Sequence, residues 1–128
     1  MRSLIAAAAL LSVAAVAHAE DRVMDTKSGQ AVSDQFYLYS VGDCTSVGQF
    51  RMKVLEEPAH GKLDIRPETF VIDTSPCRGR KFVGTNVSYK SIKGFHGTDH
   101  FSISAGYPTD TSEMRYSYTT YDFTVNVR

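Results

Sequence analysis

The chain has 128 residues, and its 14 lysines and arginines are balanced by 14 aspartates and glutamates, so the formal charge is zero. This balance gives no general attraction to nucleic acid or to an anionic membrane surface, and we expect no nucleic-acid partner. The length is sufficient for one domain with a modest core.

Residues 1–19 have the features of a cleavable secretory signal. Arg2 provides a positive start, an apolar run extends from Leu4 to Val16, and Ala17-His18-Ala19 places small residues where a signal peptidase cleaves. The apolar run is too short to span a hydrocarbon core of ~30 Å. We therefore predict cleavage, no membrane span in the mature chain and, because the signal is Ala-rich as in bacteria, a periplasmic or secreted protein.

After the signal, residues 20–33 are polar and are predicted to form a loose N-terminal arm before a domain at 34–128. Within that domain, short apolar alternations recur between turns rich in Gly, Pro and Asp, which is typical of strands. The predicted strands are 36–39, 50–54, 63–65, 70–72, 87–89, 101–103 and 116–127. About seven short strands favour an all-β fold, an Ig-like antiparallel β-sandwich, with a small barrel as the alternative.

Cys44 and Cys77 are the two cysteines of the sequence. In an oxidising compartment, two cysteines of a small domain usually pair. A redox or metal role is not supported, because there is no C-x-x-C motif and no histidine lies near either cysteine in sequence. We predict one disulfide that stabilises the domain by roughly 3–4 kcal/mol.

The last strand contains a change of parity. Apolar residues alternate on one face from Tyr121 to Val127, whereas Tyr116 and Tyr118 have the opposite parity. We therefore expect a β-bulge near Thr119-Thr120. A loop at 105–112 is predicted to precede this strand.

Two segments of the sequence resemble a known family. They are Pro58-Ala59-His60-Gly61-Lys62-Leu63 and the stretch Val87–Ile103, which contains Tyr89, Gly94-Phe95-His96-Gly97 and Asp99-His100-Phe101. Together they resemble the bacterial Ig-like, cadherin-like repeat domains, which carry a Pro-x-His-Gly turn, then Tyr-x-Pro and Gly-Phe-x-Gly-x-Asp-x-Phe. Ser91 stands where the family usually has its proline. The resemblance covers about residues 50–127 and implies an Ig-like sandwich.

The residues of this pattern are suited to turns. Gly61 permits a tight hairpin after Pro58 and His60. Gly94 and Gly97 permit a sharp turn while Phe95 enters the core, and Asp99 can accept backbone N–H bonds across that corner.

Three clusters carry candidate chemistry. His96, Asp99 and His100 are candidate ligands of a transition metal, although a turn residue, a capping carboxylate and a strand-edge histidine are the commoner interpretation. The basic residues Arg78, Arg80 and Lys81 are a candidate surface for an acidic partner, or simply a solvated loop. Tyr107 and Tyr116, with Tyr118 and Tyr121, are candidates for an aromatic binding face, or for strand packing.

The sequence contains no G-x-S-x-G elbow or other recognisable nucleophile setting. We therefore predict a non-enzymatic binding or structural module of the bacterial envelope or secretome. It is expected to have no cofactor, to be a monomer and to contact a protein or surface component through its loops. A periplasmic metal-binding protein using His96 and His100 is the first alternative. A small hydrolase or an enzyme inhibitor on the same scaffold is the second.

Overall fold

The structure is a computed structural model that describes residues 19–109 and 115–128. Alternating Val, Ile, Phe, Tyr and Thr residues place these ranges in extended chain. The described ranges form nine strands: β1 Ala19–Thr26, β2 Ala31–Phe36, β3 Tyr39–Ser40, β4 Thr45–Ser46, β5 Arg51–Glu56, β6 Gly61–Val71, β7 Lys81–Ser91, β8 Gly97–Pro108 and β9 Tyr116–Val127. Over these same ranges, no helix has the length and apolar character needed to cross a bilayer. The predicted signal peptide, except for Ala19, lies outside the described residues.

Seven long strands build two sheets, and β3 and β4 form a separate two-residue ribbon. The four-stranded sheet has the order β1-β9-β8-β5, and the three-stranded sheet has the order β2-β7-β6. The groups β2-β7-β6 and β5-β8-β9 correspond to the BED and CFG groups of the immunoglobulin fold. The predicted all-β, Ig-like sandwich is thus confirmed, with all neighbouring strands antiparallel except β1 and β9.

The core lies between the two sheets, where inward-facing residues of both interdigitate. Its centre is a stack of rings: Phe101 lies 4.5 Å from Phe123 and 5.9 Å from Tyr89, with the ring planes nearly parallel. Ile103 and Val125 complete this centre and have no solvent exposure. Burial of these aromatic and branched side chains is the main force that holds the two sheets together.

The N-terminal segment differs from the predicted loose arm at 20–33. β1 pairs in parallel with β9 from Ala19 opposite Thr120 to Thr26 opposite Val127. Met24 and Thr26 are buried on its inner face. The apolar alternation does not reveal this strand, because two of its three inward residues, Arg22 and Thr26, are polar.

The predicted bulge near Thr119-Thr120 is wrong. β8 and β9 keep one continuous register from Gly97 opposite Val127 to Pro108 opposite Tyr116. Tyr116 and Tyr118 therefore lie on the outer face, opposite in direction to Tyr121. Gly106 makes this arrangement possible, since a Cβ there would lie 2.4 Å from the Tyr118 ring. β8 also extends further than expected: residues 105–108 of the predicted loop at 105–112 belong to this strand. Residues 110–114 lie outside the described residues.

The two ends of the sandwich differ in the length of their connections. At one end, which we call the motif end, residues 27–30, 57–60 and 92–96 form short turns. They are joined by hydrogen bonds such as Ile92 N to His60 O and Gly94 N to Ser28 Oγ. The opposite end, which we call the loop end, carries the longer connections 37–50, 72–80 and 109–115. Loops at the end of a sandwich are a common location for binding residues.

The predicted disulfide is confirmed between Cys44 and Cys77. It joins connection 37–50 to connection 72–80, so it braces the loop end and does not cross the main core. Around it lies a second, smaller cluster in which Ile72, Cys77 and Phe82 are buried, with Tyr39 packed against them. The loop end thus has a small core of its own.

Candidate functional site

The residues of the family-like pattern meet at the motif end, around the buried carboxylate of Asp99. Tyr89 Oη donates a hydrogen bond to Asp99 Oδ2 at 2.7 Å, and the backbone N–H of His60 donates to the same oxygen at 2.9 Å. Oδ1 accepts from the backbone N–H of Ala59 at 3.1 Å and of His100 at 3.0 Å. Both oxygens are therefore occupied by donors from the protein itself.

These bonds determine the ionisation of the pair. Burial by itself would raise the pKa of Asp99, but the hydrogen bond from Tyr89 and the backbone N–H groups of His60, His100 and Ala59 outweigh it and leave that pKa below its ordinary value. Burial, together with the hydrogen bond to Asp99 and its charge, raises the pKa of Tyr89 well above the ordinary value. The neutral phenol thus remains the donor and the carboxylate the acceptor.

The other members of the pattern surround this pair. A Cβ at Gly61 would lie 2.5 Å from the Tyr89 ring, so glycine is required for close approach of that ring. The His60 ring stacks on Phe95 with centroids 4.2 Å apart, and Phe95 packs against the main core. Pro58 is half-buried in the same turn. Gly94 and Gly97 both have positive φ, 94° and 145°, on either side of Phe95. The side chains of the motif end thus contact one another within the fold.

The candidate metal ligands do not converge. His96 and His100 are exposed, and His100 Nδ1 lies 3.3 Å from the Thr124 hydroxyl, while Asp99 is turned inward to its four donors. Within residues 19–109 and 115–128, no three His, Cys, Asp or Glu side chains are grouped so as to hold an ion. The carboxylate of Asp99 is thus engaged within the fold, whereas the two histidines lie at the surface.

The tyrosines are concentrated at the opposite end. Of the seven tyrosines in the sequence, Tyr89 belongs to the motif end. The other six belong to the loop end and the groove described below: Tyr37, Tyr39, Tyr107, Tyr116, Tyr118 and Tyr121. Tyr37 and Tyr39 join Phe70 and Phe82 in a row of stacked rings with centroids 5.0 to 6.2 Å apart. This row rests directly on the small disulfide core.

A groove of about 480 Å³ opens where the two sheets part at the loop end. Aromatic side chains from both sheets and from connection 37–50 form much of its wall: Phe36, Tyr37, Phe50, Tyr107 and Tyr121. Four polar side chains share the same wall: Glu20, Arg22, Gln35 and Thr119. The remaining wall residue is Leu38. The groove is a continuation of the core, since Tyr121 packs edge-on against Phe36 at 5.0 Å.

Arg22 is the central charged residue of this groove. Its guanidinium contacts Glu20 at 3.1 Å and Asp34 at 3.5 Å, and its Cζ lies 5.2 Å from the centre of the Tyr121 ring. Its Nε is shielded from solvent and has no acceptor among the described residues. Burial and the charge of Glu20 raise the pKa of Tyr121, so this phenol is a neutral donor at ordinary pH.

The outer face of the loop end carries a second aromatic group. The Arg51 guanidinium lies 3.6 Å from the centre of the Tyr116 ring, and Tyr118 lies beside Tyr116 with centroids 6.5 Å apart. Hydrogen bonding to Tyr118 raises the pKa of Arg51. Stacking of arginine on tyrosine is a favourable cation–π geometry. It holds these rings in a defined position on the surface.

The basic residues Arg78, Arg80 and Lys81 are all exposed: the two arginines follow Cys77 in connection 72–80, and Lys81 is the first residue of β7. Their loop is held by backbone hydrogen bonds from Arg80 N to Cys77 O and from Ile72 N to Arg80 O. The structure thus places this patch at the loop end, on the same end of the molecule as Tyr107 and Tyr116. The sequence predicts these basic residues and the two tyrosines as one candidate binding surface.

Several groove residues were not singled out by sequence. Glu20 and Arg22 lie in the stretch predicted to be a loose arm, and Gln35 is an isolated polar residue in a strand. The sequence predicts Phe36 and Phe50 as strand residues only. No signal in the sequence groups them, because they come from separate strands that meet only after folding.

Comparison with protein-family models finds no match, and comparison with curated proteins finds no similar sequence.

Proposed function

We propose that this protein is an exported, non-enzymatic binding module that contacts a protein or surface component of the periplasm or cell exterior through its loop end. The observation that carries the proposal is the concentration of six of the seven tyrosines there. Tyrosine offers a large, rigid contact area with a polar tip, at a low cost in side-chain entropy. Tyrosine and arginine are also the residues that most often dominate binding energy at interfaces.

The disulfide and the small core on which some of these tyrosines pack favour the same function. The disulfide joins two of the three loop-end connections, and the stacked rings of Tyr37 and Tyr39 rest on its small core. Such bracing reduces the conformational entropy that would be lost on binding. The motif end, by contrast, uses its polar groups within the fold, since both Asp99 oxygens are occupied.

Site-specific photo-crosslinking in the native host tests this proposal. A photoreactive phenylalanine analogue replaces Tyr37 or Tyr118, which are 41% and 59% exposed at the loop end, or Ile92, which is 60% exposed at the motif end. We expect discrete adducts from the two loop-end positions and none from Ile92, because the contact surface lies at one end only.

Competition identifies specific adducts. Excess purified protein should abolish them, and the same protein with Tyr37→Ser and Tyr118→Ser should compete much less well. Adducts from Ile92 alone, or equal labelling from all three positions, would contradict the proposal.

A further inference from the structure

We propose that the groove at the loop end binds a neutral saccharide, one or two pyranose rings long, on the face formed by Tyr107 and Tyr121. This inference depends on the proposed function, because it names the ligand class of the same end of the molecule. It is carried by the combination of ring faces and hydrogen-bonding groups in one open groove.

The size and shape of the groove fit this ligand. Its volume of about 480 Å³ lies within the range of small-molecule sites. The groove is open at the strand ends, so a glycan chain can enter and leave without a change of fold. A pyranose ring has flat C–H faces, and such faces pack well on the rings of Tyr107, Tyr121 and Phe50.

The polar members of the wall distinguish a sugar from a purely apolar ligand. Glu20, Arg22, Gln35 and Thr119 offer both donors and acceptors, and three of these four side chains end in planar groups suited to neighbouring hydroxyls. An aliphatic or aromatic hydrocarbon would cover these groups without replacing their hydrogen bonds to water, which disfavours binding for each group left unpaired.

The charges in the groove favour a neutral sugar over an acidic one. Arg22 is already paired with Glu20 and Asp34, at 3.1 and 3.5 Å. Cleavage after Ala19, as predicted, would add the α-amino group of Glu20, so that two positive charges would face two negative ones. An anionic ligand would therefore find no surplus positive charge, and it would have to displace a carboxylate from Arg22.

Titration of the processed protein with saccharides tests the inference. The probes are two neutral disaccharides, cellobiose and N,N′-diacetylchitobiose, and one acidic disaccharide, digalacturonate, each followed by amide NMR shifts and by calorimetry. We expect a neutral disaccharide to shift the Gln35 side-chain amide and the Thr119 backbone amide in a saturable manner, with digalacturonate weaker or silent.

Substitutions locate the site. Tyr107→Ala should weaken binding of the neutral disaccharide at least about tenfold, whereas Ile92→Ala, at an exposed position of the motif end, should change it by less than about twofold. Gln35→Ala, at an exposed position, serves as a second groove variant that does not threaten folding. We expect it to weaken binding as well.

Three results would overturn the inference: no saturable shift with either neutral disaccharide at millimolar concentration, tighter binding of digalacturonate, or shifts that map outside the groove. If any of these occurred while Tyr37 and Tyr118 still gave specific crosslinks to a protein, the groove would be part of a protein interface. The proposed function would then stand without its saccharide ligand.

Discussion

The phenol oxygen of Tyr89 lies 2.7 Å from Oδ2 of Asp99, and this hydrogen bond joins the three-stranded sheet to the four-stranded sheet. The same carboxylate accepts the backbone N–H groups of Ala59 and His60, in the connection between β5 and β6. One buried side chain therefore ties both sheets and a turn together. The residues that resemble a family pattern are explained by this network and its surrounding rings.

Tyr89→Phe should lower the free energy of unfolding by about 1.5–3 kcal/mol. The substitution removes a hydrogen bond to a charged group and leaves Asp99 with one donor fewer in a buried site. Urea denaturation of the wild type and the variant measures the difference. Tyr118→Phe is the matched control, because that residue is exposed, and it should change stability by less than about 0.5 kcal/mol. Equal losses in the two variants would argue against a special role for the buried bond.

Because of Asp99, the free energy of unfolding should depend on pH in the acidic range. Its pKa is lower in the folded state than the value of ~3.9 expected in the unfolded chain. The ionised carboxylate therefore contributes stability above that unfolded pKa, and this contribution is lost as the pH falls through the folded pKa.

Urea midpoints measured from about pH 7 to pH 2 for the wild type and Asp99→Asn test this dependence. We expect the variant to be less stable at neutral pH and the gap to narrow below about pH 4. A gap that stays constant across the whole range would show that Asp99 is not the titrating group.

Gly61→Ala should destabilise the protein by about 1–3 kcal/mol, because the new Cβ overpacks the site. It would lie 2.5 Å from the Tyr89 ring and 2.8 Å from the carbonyl oxygen of Lys90, and neither is the free end of a flexible chain. Gly42→Ala is the control, since nothing lies within 4 Å of a Cβ there. Thermal denaturation of both variants measures the difference, and we expect a lower melting temperature for Gly61→Ala. Similar melting temperatures would contradict the tight packing at Gly61.

Met24→Ala should cost about 2–5 kcal/mol, the range for a buried methionine. Met24 is 8% exposed on the inner face of β1, whereas its neighbour Val23 is 66% exposed. Val23→Ala is therefore the control and should be nearly neutral. Urea denaturation distinguishes the paired strand from a loose arm, in which both substitutions would be neutral.

Replacement of Cys44 and Cys77 by serine should reduce stability by roughly 3–4 kcal/mol, because it frees a closed loop with a sequence separation of 33 residues. The main core does not include this bridge, so the far-ultraviolet circular dichroism should remain that of a β-protein. Amide NMR shifts should change mainly in connections 37–50 and 72–80. Changes of similar size around Asp99 would show that the bridge supports the whole sandwich.

The strands in which apolar and polar residues alternate regularly were predictable from sequence. In β9, Phe123, Val125 and Val127 face inward at every second position, and a two-residue period is sufficient to assign such a strand and its buried face. The disulfide was predictable as well, because two cysteines in a small domain that is predicted to be exported have few other uses. These features depend on neighbours along the chain.

β1 and the groove were not predictable in the same way. The inward residues of β1 include Arg22, whose position is stabilised by Glu20 on its own strand, by Asp34 on β2 and by the Tyr121 ring on β9. The outward direction of Tyr118 depends on the space above Gly106 in β8. Such contacts join residues distant in sequence, so the periodicity of apolar residues within one segment does not predict them.

Sequence alone determined the strand-forming tendency of the chain, the identity of its core stripes and the pairing of its two cysteines, because each follows from local periodicity or composition. Tertiary structure alone decided that Asp99 would be enclosed by donors from three segments and that the tyrosines of three separate segments would collect at one end. The physical reason is that burial and hydrogen bonding at these places are created by the meeting of strands, and the order of strands in the sheets differs from their order along the chain.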